Sequence, residues 1–329
     1  MERLGTYELA GSLTNQNAGY SVWGFGKKNG MDYFIKQFVA QKYPANDTVS
    51  SPERLQKKIK ECERFEQRKI AVYQMLNENS DGNAVRVEEF FRIESKYYIS
   101  MRKIEALPWD VTAVANLPRG EIRRLCAIIA HGIASLHKGH IVHADLKHDN
   151  ILFMKTPHGY TTAKIIDFDS SFLETDPPLA GDEIIGDLVY FSPEACRSIW
   201  GEQMELTCKM DIFALGVLFH QYLTGDLPYF NTGESPYPGE AVAKGELLSV
   251  SDKLPTDLRD LLSNMLSPDP AKRPSASEVF CVLRRIDMTE DAVFEKRGSS
   301  SAGYTTGKTG PVAAGAKPGA NPFFRPGDL

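Results

Sequence analysis

The chain has 329 residues, 42% of them hydrophobic, enough to bury a sizeable core and to form two lobes or domains. Its 38 Lys and Arg against 43 Asp and Glu leave a net charge of -5, which excludes a general attraction to nucleic acid or anionic membranes. The five cysteines, Cys62, Cys126, Cys196, Cys208 and Cys281, are odd in number, widely spaced and free of any C-x-x-C pattern, so they read as reduced thiols and not as a disulfide framework or zinc site.

The chain starts "MERLGTYELAGSL", without the apolar core of a secretory signal, and no uncharged apolar run reaches membrane-spanning length; the expectation is a cytoplasmic protein with no membrane partner. Through the first hundred residues, "TYELAGSL", "YSVWGFG", "DYFIKQF", "VRVEEFFRI" and "KYYISM" are rich in aromatic and β-branched residues and divided by turn formers, which predicts short strands. One long helix interrupts them. Ser50 with Glu53 suggests a capping box and Pro52 suits the first turn, while Leu55, Ile59, Cys62, Ile70 and Tyr73 form an apolar face.

After "LPWD" the pattern turns helical. "EIRRLCAIIAHGIASLH" places Ile122, Leu125, Cys126, Ile129, Ile133 and Leu136 in a 3.6-residue rhythm, whereas "DIFALGVLFHQYL" is apolar nearly all round and predicts a helix in the middle of a lobe. From about residue 289 the chain is rich in Gly, Ser, Ala and Pro, which reads as a flexible tail.

The chemistry concentrates in "IVHADLKHDNILF" and "AKIIDFD". "ILF" and "AKII" predict two strands joined by the turn residues of "MKTPHGYTT", a hairpin that brings Asn150 and Asp167 together. Such an oxygen pair suits Mg²⁺, which takes one or two protein ligands besides phosphate oxygens and water. Asp145 lies near enough in the loop to orient or accept a hydroxyl proton, and Lys147 to neutralise phosphate charge. His137, His140 and His143 invite a zinc reading, but no matching Cys, Asp or Glu spacing accompanies them.

The order H-x-D-L-K-x-x-N followed by D-F-x resembles the catalytic and metal-binding segments of the protein kinase superfamily. "GDLVYFSPEA", with Glu194, is similar to its G-T-x-x-Y-x-A-P-E segment, "KRPSASEV" supplies the matching Arg273, and "KMDIFALGVLF" resembles the D-x-W-x-x-G start of a buried helix, giving Asp211, Phe213 and Gly216. The resemblance implies an α+β, two-lobed fold: an antiparallel sheet with one long helix over residues 1–101, a hinge over 102–108, a mainly helical lobe over 109–288 and the tail over 289–329. It implies catalytic roles for Asp145 and Lys147, metal ligation by Asn150 and Asp167, and nucleotide contacts from Gly11, Gly19, Lys36, the gatekeeper Met101 and the hinge residue Lys103. The family's usual partner of the strand lysine is a helix glutamate. At about 100° per residue from Leu55, Glu66 falls near 20°, within the apolar face, and Glu63 near 80° on its edge, so Glu66 is the candidate and Glu63 the alternative.

The expected function is ATP- and Mg²⁺- or Mn²⁺-dependent transfer of a γ-phosphoryl group to serine or threonine hydroxyls of a protein substrate, and the overall look resembles bacterial serine/threonine kinases. Three departures keep two alternatives open, a pseudokinase scaffold and a small-molecule phosphotransferase of the aminoglycoside or choline kinase type. "GSLTNQNAGYSVW" has only Gly11 and Gly19 where the family has three loop glycines, Asp169 stands in place of the D-F-G glycine, and Asp187 and Ala144 replace the usual threonine and arginine. Without that arginine, activation by loop phosphorylation is not expected; Glu174, Asp176, Asp182, Glu183 and Asp187 instead suggest selection of a basic substrate or a substitute for phosphate. The terminal "NPFFRPGDL" is a candidate docking motif for a partner, and "GKT" at 307–309 lacks the context of a P-loop.

Overall fold

A computed structural model describes residues 2–15, 21–45, 50–179 and 184–285. Gly19, Asp182, Glu183 and the tail with its "GKT" and "NPFFRPGDL" segments lie outside the described residues. The chain begins with β1 (Arg3–Leu4), β2 (Tyr7–Leu9), β3 (Ser21–Lys28) and β4 (Met31–Lys42), followed by α1 (Pro52–Asn79), β5 (Glu89–Ile93) and β6 (Lys96–Arg102). These strands form one antiparallel sheet in the order β1-β2-β3-β4-β6-β5. Asn29 and Gly30, at φ 54° and 76°, make the tight β3–β4 turn, a conformation these two residue types adopt at little cost. The register sets Lys36 between Trp23 on β3 and Ile99 on β6, in the middle of the sheet.

Two expectations shift in this region. The cap of α1 is Ser51, whose Oγ accepts from the Arg54 amide at 3.4 Å, one residue after the predicted Ser50. In "VRVEEFFRI" the strand register with β6 begins at Glu89; upstream, the Val85 amide donates to Ile165 O at 2.9 Å and the Val87 amide to Asn77 Oδ1 at 3.1 Å, so that run ties to the helical lobe and to α1 instead.

The remaining elements are α2 (Val111–Ala115), α3 (Arg119–Lys138), β7 (Ile141–Val142), a 3-10 turn at His148–Asn150, β8 (Ile151–Lys155), β9 (Thr161–Ile165), β10 (Phe172–Leu173), α4 (Pro193–Ile199), α5 (Lys209–Thr224), α6 (Pro238–Ala243), α7 (Thr256–Met265), a second 3-10 turn at Pro270–Lys272 and α8 (Ala276–Arg285). The result is the two-lobed protein kinase fold, a curled sheet with its helix preceding a helical lobe. All six predicted apolar positions of α3 are buried. In α5 every residue from Met210 to His220 is buried, as are Tyr222 and Leu223, and Gly225 ends the helix in the left-handed region at φ 85°. A single core runs from Trp23, Phe34 and Met101 on the sheet through Leu125 and Ile133 of α3 to Leu215 and Phe219 of α5. This continuous packing sets the sheet lysine against the loops of the helical lobe.

Candidate active site

The β8–β9 hairpin forms as expected, with Ile151 opposite Ile165, and the Ile166 amide donates to Asn150 O at 3.0 Å. Those two contacts fix Asn150 at the entry of one strand and Asp167 beyond the exit of the other. Between β7 and β8 the loop is tied down by His143. Its Nε2 faces Ile166 O at 3.0 Å and must donate there, which leaves Nδ1 to accept from the Asp145 amide at 3.3 Å. The ring also lies 4.9 Å from that of Phe168. From below, buried Asp211 on α5 accepts from the His143 amide at 2.8 Å, the Ala144 amide at 3.0 Å and His137 Nε2 at 2.9 Å. Ala144 and Asp167 have φ of 67° and 65°, the left-handed region that non-glycine residues avoid, so the loop conformation depends on this scaffold.

The result is a fixed carboxylate. Asp145 Oδ2 lies 3.1 Å from Lys147 Nζ and accepts from Asn150 Nδ2 at 3.0 Å, while Oδ1 accepts from the Asp187 amide at 3.0 Å. Burial pushes its pKa up, only partly opposed by Lys147, and the same pair holds Lys147 up against its own burial. Because the Asn150 amide nitrogen is committed to Asp145, its oxygen is the atom left to ligate a cation.

Opposite, Lys36 Nζ lies 2.8 and 2.9 Å from the two Asp167 oxygens and 2.8 Å from Asp169 Oδ2. Burial alone would lower the Lys36 pKa, but the two carboxylates outweigh it and hold the ammonium above its usual range. Lys36 likewise outweighs burial at Asp167, whose pKa is lowered, whereas burial prevails at Asp169 and raises it. Asp169 Oδ1 is buried without a hydrogen-bond partner. Hard oxygen donors at Asn150 and Asp167, with an orphaned carboxylate oxygen beside them, fit Mg²⁺. No group of three or more His, Cys, Asp and Glu suited to a metal occurs among the described residues. His137, His140 and His143 contact Asp211, Glu174 Oε2 (2.8 Å) and Ile166 O respectively.

The predicted Lys36–Glu66 pair is not formed. Glu66 Oε1 accepts from Tyr97 OH at 2.6 Å and lies 3.7 Å from Arg92 Nε, and Glu63 is exposed. The α1 side chain that turns toward the site is Lys69, buried at 9% exposure, whose Nζ donates to Asp169 O. The apolar face of α1 is centred further round than predicted: Ile70 is 43% exposed, and Cys62, Lys69, Val72, Tyr73 and Leu76 are buried. Lys69 falls near -40° on the same wheel, between Cys62 and Leu76, so the angle count could have found it.

Met101 is buried on β6 opposite Phe34, lining the inner side of the sheet. Just past β6, the Lys103 side chain pairs with Glu105 at 3.0 Å over the Phe25 ring, and its amide donates to Asp32 O at 3.1 Å. Gly11 lies just past β2 with open space where a Cβ would stand. Of the acidic loop residues, Glu174 binds His140 and the Cys208 amide, and Asp176 is gripped by Arg68 at 2.5 Å. Further out, buried Glu194 and Arg273 form a two-pronged ion pair at 2.6 and 2.9 Å.

Among curated proteins, a calcium and calcium/calmodulin-dependent serine/threonine-protein kinase of Lilium longiflorum is 35% identical over 175 residues, 52% of this chain and 32% of the relative. Serine/threonine-protein kinase A of Synechocystis is 29% identical over 243 residues, 69% of this chain and 45% of the relative. A calcium/calmodulin-dependent serine/threonine-protein kinase of Malus domestica is 36% identical over 157 residues, 46% of this chain and 35% of the relative. The chain thus spans less than half the length of each of these relatives. The family model for the protein kinase domain matches residues 40–282, a span holding the strand lysine's aspartate partners, the loop around Asp145 and the Glu194–Arg273 pair, and by that match the chain belongs to the protein kinase domain family.

Proposed function

We propose that this chain is an ATP- and Mg²⁺-dependent protein kinase that phosphorylates serine and threonine hydroxyls. The observation that carries the reading is Asp145, a partly buried carboxylate fixed by three neighbours and facing the Lys36–Asp167 pair across the Asn150 turn. In this reading Asp145 orients the acceptor hydroxyl and takes up its proton, and Lys147 beside it stabilises charge on the moving phosphoryl group. Lys36 positions the nucleotide phosphates, while Asn150 and Asp167 hold the metal. When bound, Mg²⁺ neutralises phosphate charge during transfer. Met101 borders the adenine side in this reading, and Gly11 and Gly19 are the glycines assigned to phosphate contacts.

The serine/threonine class is supported by the names of the relatives, each a serine/threonine-protein kinase. A protein acceptor, rather than a small molecule, is supported by the Glu194–Arg273 pair and the buried helix at Asp211, both parts of the protein-kinase form of the helical lobe. We place the chain in the cytoplasm, with no nucleic acid or membrane partner; no described helix is long and apolar enough to cross a membrane. A nucleotide-free scaffold is the second reading, favoured by Lys36 already balanced between two carboxylates. Incubation with γ-labelled ATP, Mg²⁺ and a panel of basic and acidic proteins, beside parallel reactions with aminoglycosides and choline, tests the proposal. Label on serine or threonine supports it; label confined to aminoglycosides or choline, or no label at all, refutes it.

A further inference from the structure

The α1 glutamate that should hold the strand lysine is bound elsewhere, and a lysine occupies its place at the site. Glu66 is bound to Tyr97 and lies near Arg92, on the side of β5 and β6. One turn later Lys69 is buried with its ammonium on the Asp169 carbonyl. Bringing a second ammonium beside Lys36 would repel it, yet Lys36 is well paired, because Asp169 adds a second carboxylate at 2.8 Å beside Asp167. Two lysines face two aspartates. A glycine at position 169 would leave two cations on one carboxylate, and a glutamate at position 69 would leave three carboxylates around Lys36; each residue makes the other tolerable.

Resting on the reading of this site as a kinase centre, we infer that Asp169 is the positioning residue for Lys36, the carboxylate having moved from the helix to the segment after β9, and that Lys69 docks the helix onto that segment in its place. A second contact reinforces the docking: Arg68, next to Lys69 on α1, clasps Asp176 at 2.5 Å through both Nε and Nη2. The helix and residues 167–176 therefore hold together through their own cations and carboxylates, independently of Glu66. Lys36 keeps its orientation as long as the Asp169 carboxylate stays at 2.8 Å and Lys69 stays on its carbonyl.

A charge-exchange series tests this. Affinity for a non-hydrolysable ATP analogue with Mg²⁺ is measured by calorimetry, beside thermal melts, for the wild type and for Asp169→Gly, Asp169→Asn, Lys69→Glu, Glu66→Gln and the double variant Lys69→Glu/Asp169→Gly. Asp169→Gly, Asp169→Asn and Lys69→Glu are each expected to lose about tenfold in affinity. The double variant, which returns the carboxylate to the helix, should recover to within about threefold of wild type, and Glu66→Gln should stay within about twofold. Asp169→Asn keeps the side-chain size, so a loss without a fall in melting temperature separates positioning from folding. A double variant no better than the worse single, or a Glu66→Gln loss equal to that of Asp169→Gly, overturns the inference while wild-type binding leaves the kinase reading intact. A wild type that binds no nucleotide overturns both.

Discussion

Replacing Asp211 by asparagine changes one oxygen to an NH₂ group and nothing in size, yet this position should be among the least tolerant in the chain. The carboxylate is 1% exposed and accepts three N–H bonds, two at Oδ2 from the His143 amide and His137 Nε2 and one at Oδ1 from the Ala144 amide. An asparagine has a single acceptor end. With its oxygen facing His143 and His137, its NH₂ confronts the Ala144 N–H, and two buried donors, that amide and the new NH₂ itself, are left without an acceptor. A hydrogen bond to a charged group contributes about 1.5–3 kcal/mol and an orphaned buried donor costs about 1–3 kcal/mol, which puts the destabilisation at about 2–4 kcal/mol. Urea titration of wild type and Asp211→Asn measures it directly, and a melting point about 5–15 °C lower should accompany it. The Ala144 amide is the one that holds the loop at φ 67°, so nucleotide-dependent phosphorylation should fall further than the folded fraction does. A loss under about 1 kcal/mol with activity unchanged would show that Asp211 does not shape the loop, and the reasoning about the site's scaffold would fail with it.

Glu194→Ala removes one half of a buried pair whose other half, Arg273, is 2% exposed and also donates to Ser267 O at 2.8 Å and Lys209 O at 2.9 Å. Stranding that guanidinium should cost about 3–5 kcal/mol in urea titration, and a cost below about 1 kcal/mol would contradict the pairing. Stability should also fall in mild acid because of His220. Its Nδ1 faces Asp226 O at 2.8 Å and its Nε2 accepts from the Ser251 amide at 3.1 Å, so the folded ring is neutral, and burial lowers its pKa against the pull of Asp226. A depressed pKa gives stability that is complete above the unfolded value and lost as pH falls through the folded one; below about pH 6.5 this residue should remove up to about 1.4 kcal/mol per pH unit. Urea titrations of wild type and His220→Asn at pH 7, 6 and 5 check this: a wild-type slope no steeper than the variant's would exclude it.

Much of the site was legible because its residues are close in sequence. Asp145, Lys147 and Asn150 sit within one short loop, and Asp167 follows across a hairpin whose strands and turn are plain in "ILF", "MKTPHGYTT" and "AKII". The long apolar stretch of α5 and the regular rhythm of α3 were readable for the same reason, since burial imprints a period on the chain. What could not be read were partnerships between distant segments. Glu66 lies only about 60° from Lys69 on the wheel, and whether the helix offers its carboxylate or its ammonium to Lys36 depends on how α1 is rotated against the sheet. That rotation is set by Cys62, Val72 and Leu76 together, and it leaves Ile70, part of the apolar face expected from the sequence, exposed. Asp169 was visible as a departure from glycine, but its pairing with Lys36, 133 positions earlier, follows only from the fold.

The account stands most directly on Asp145. Purified wild type and Asp145→Asn, both confirmed folded by thermal melts, are incubated with labelled ATP, Mg²⁺ and generic protein substrates, and incorporation is followed over time. The account predicts phosphoserine and phosphothreonine from the wild type and a rate at least about 100-fold lower from the variant, the usual contribution of a positioned general base. Equal incorporation by the two proteins, or none from the wild type across a broad panel of substrates, would contradict it.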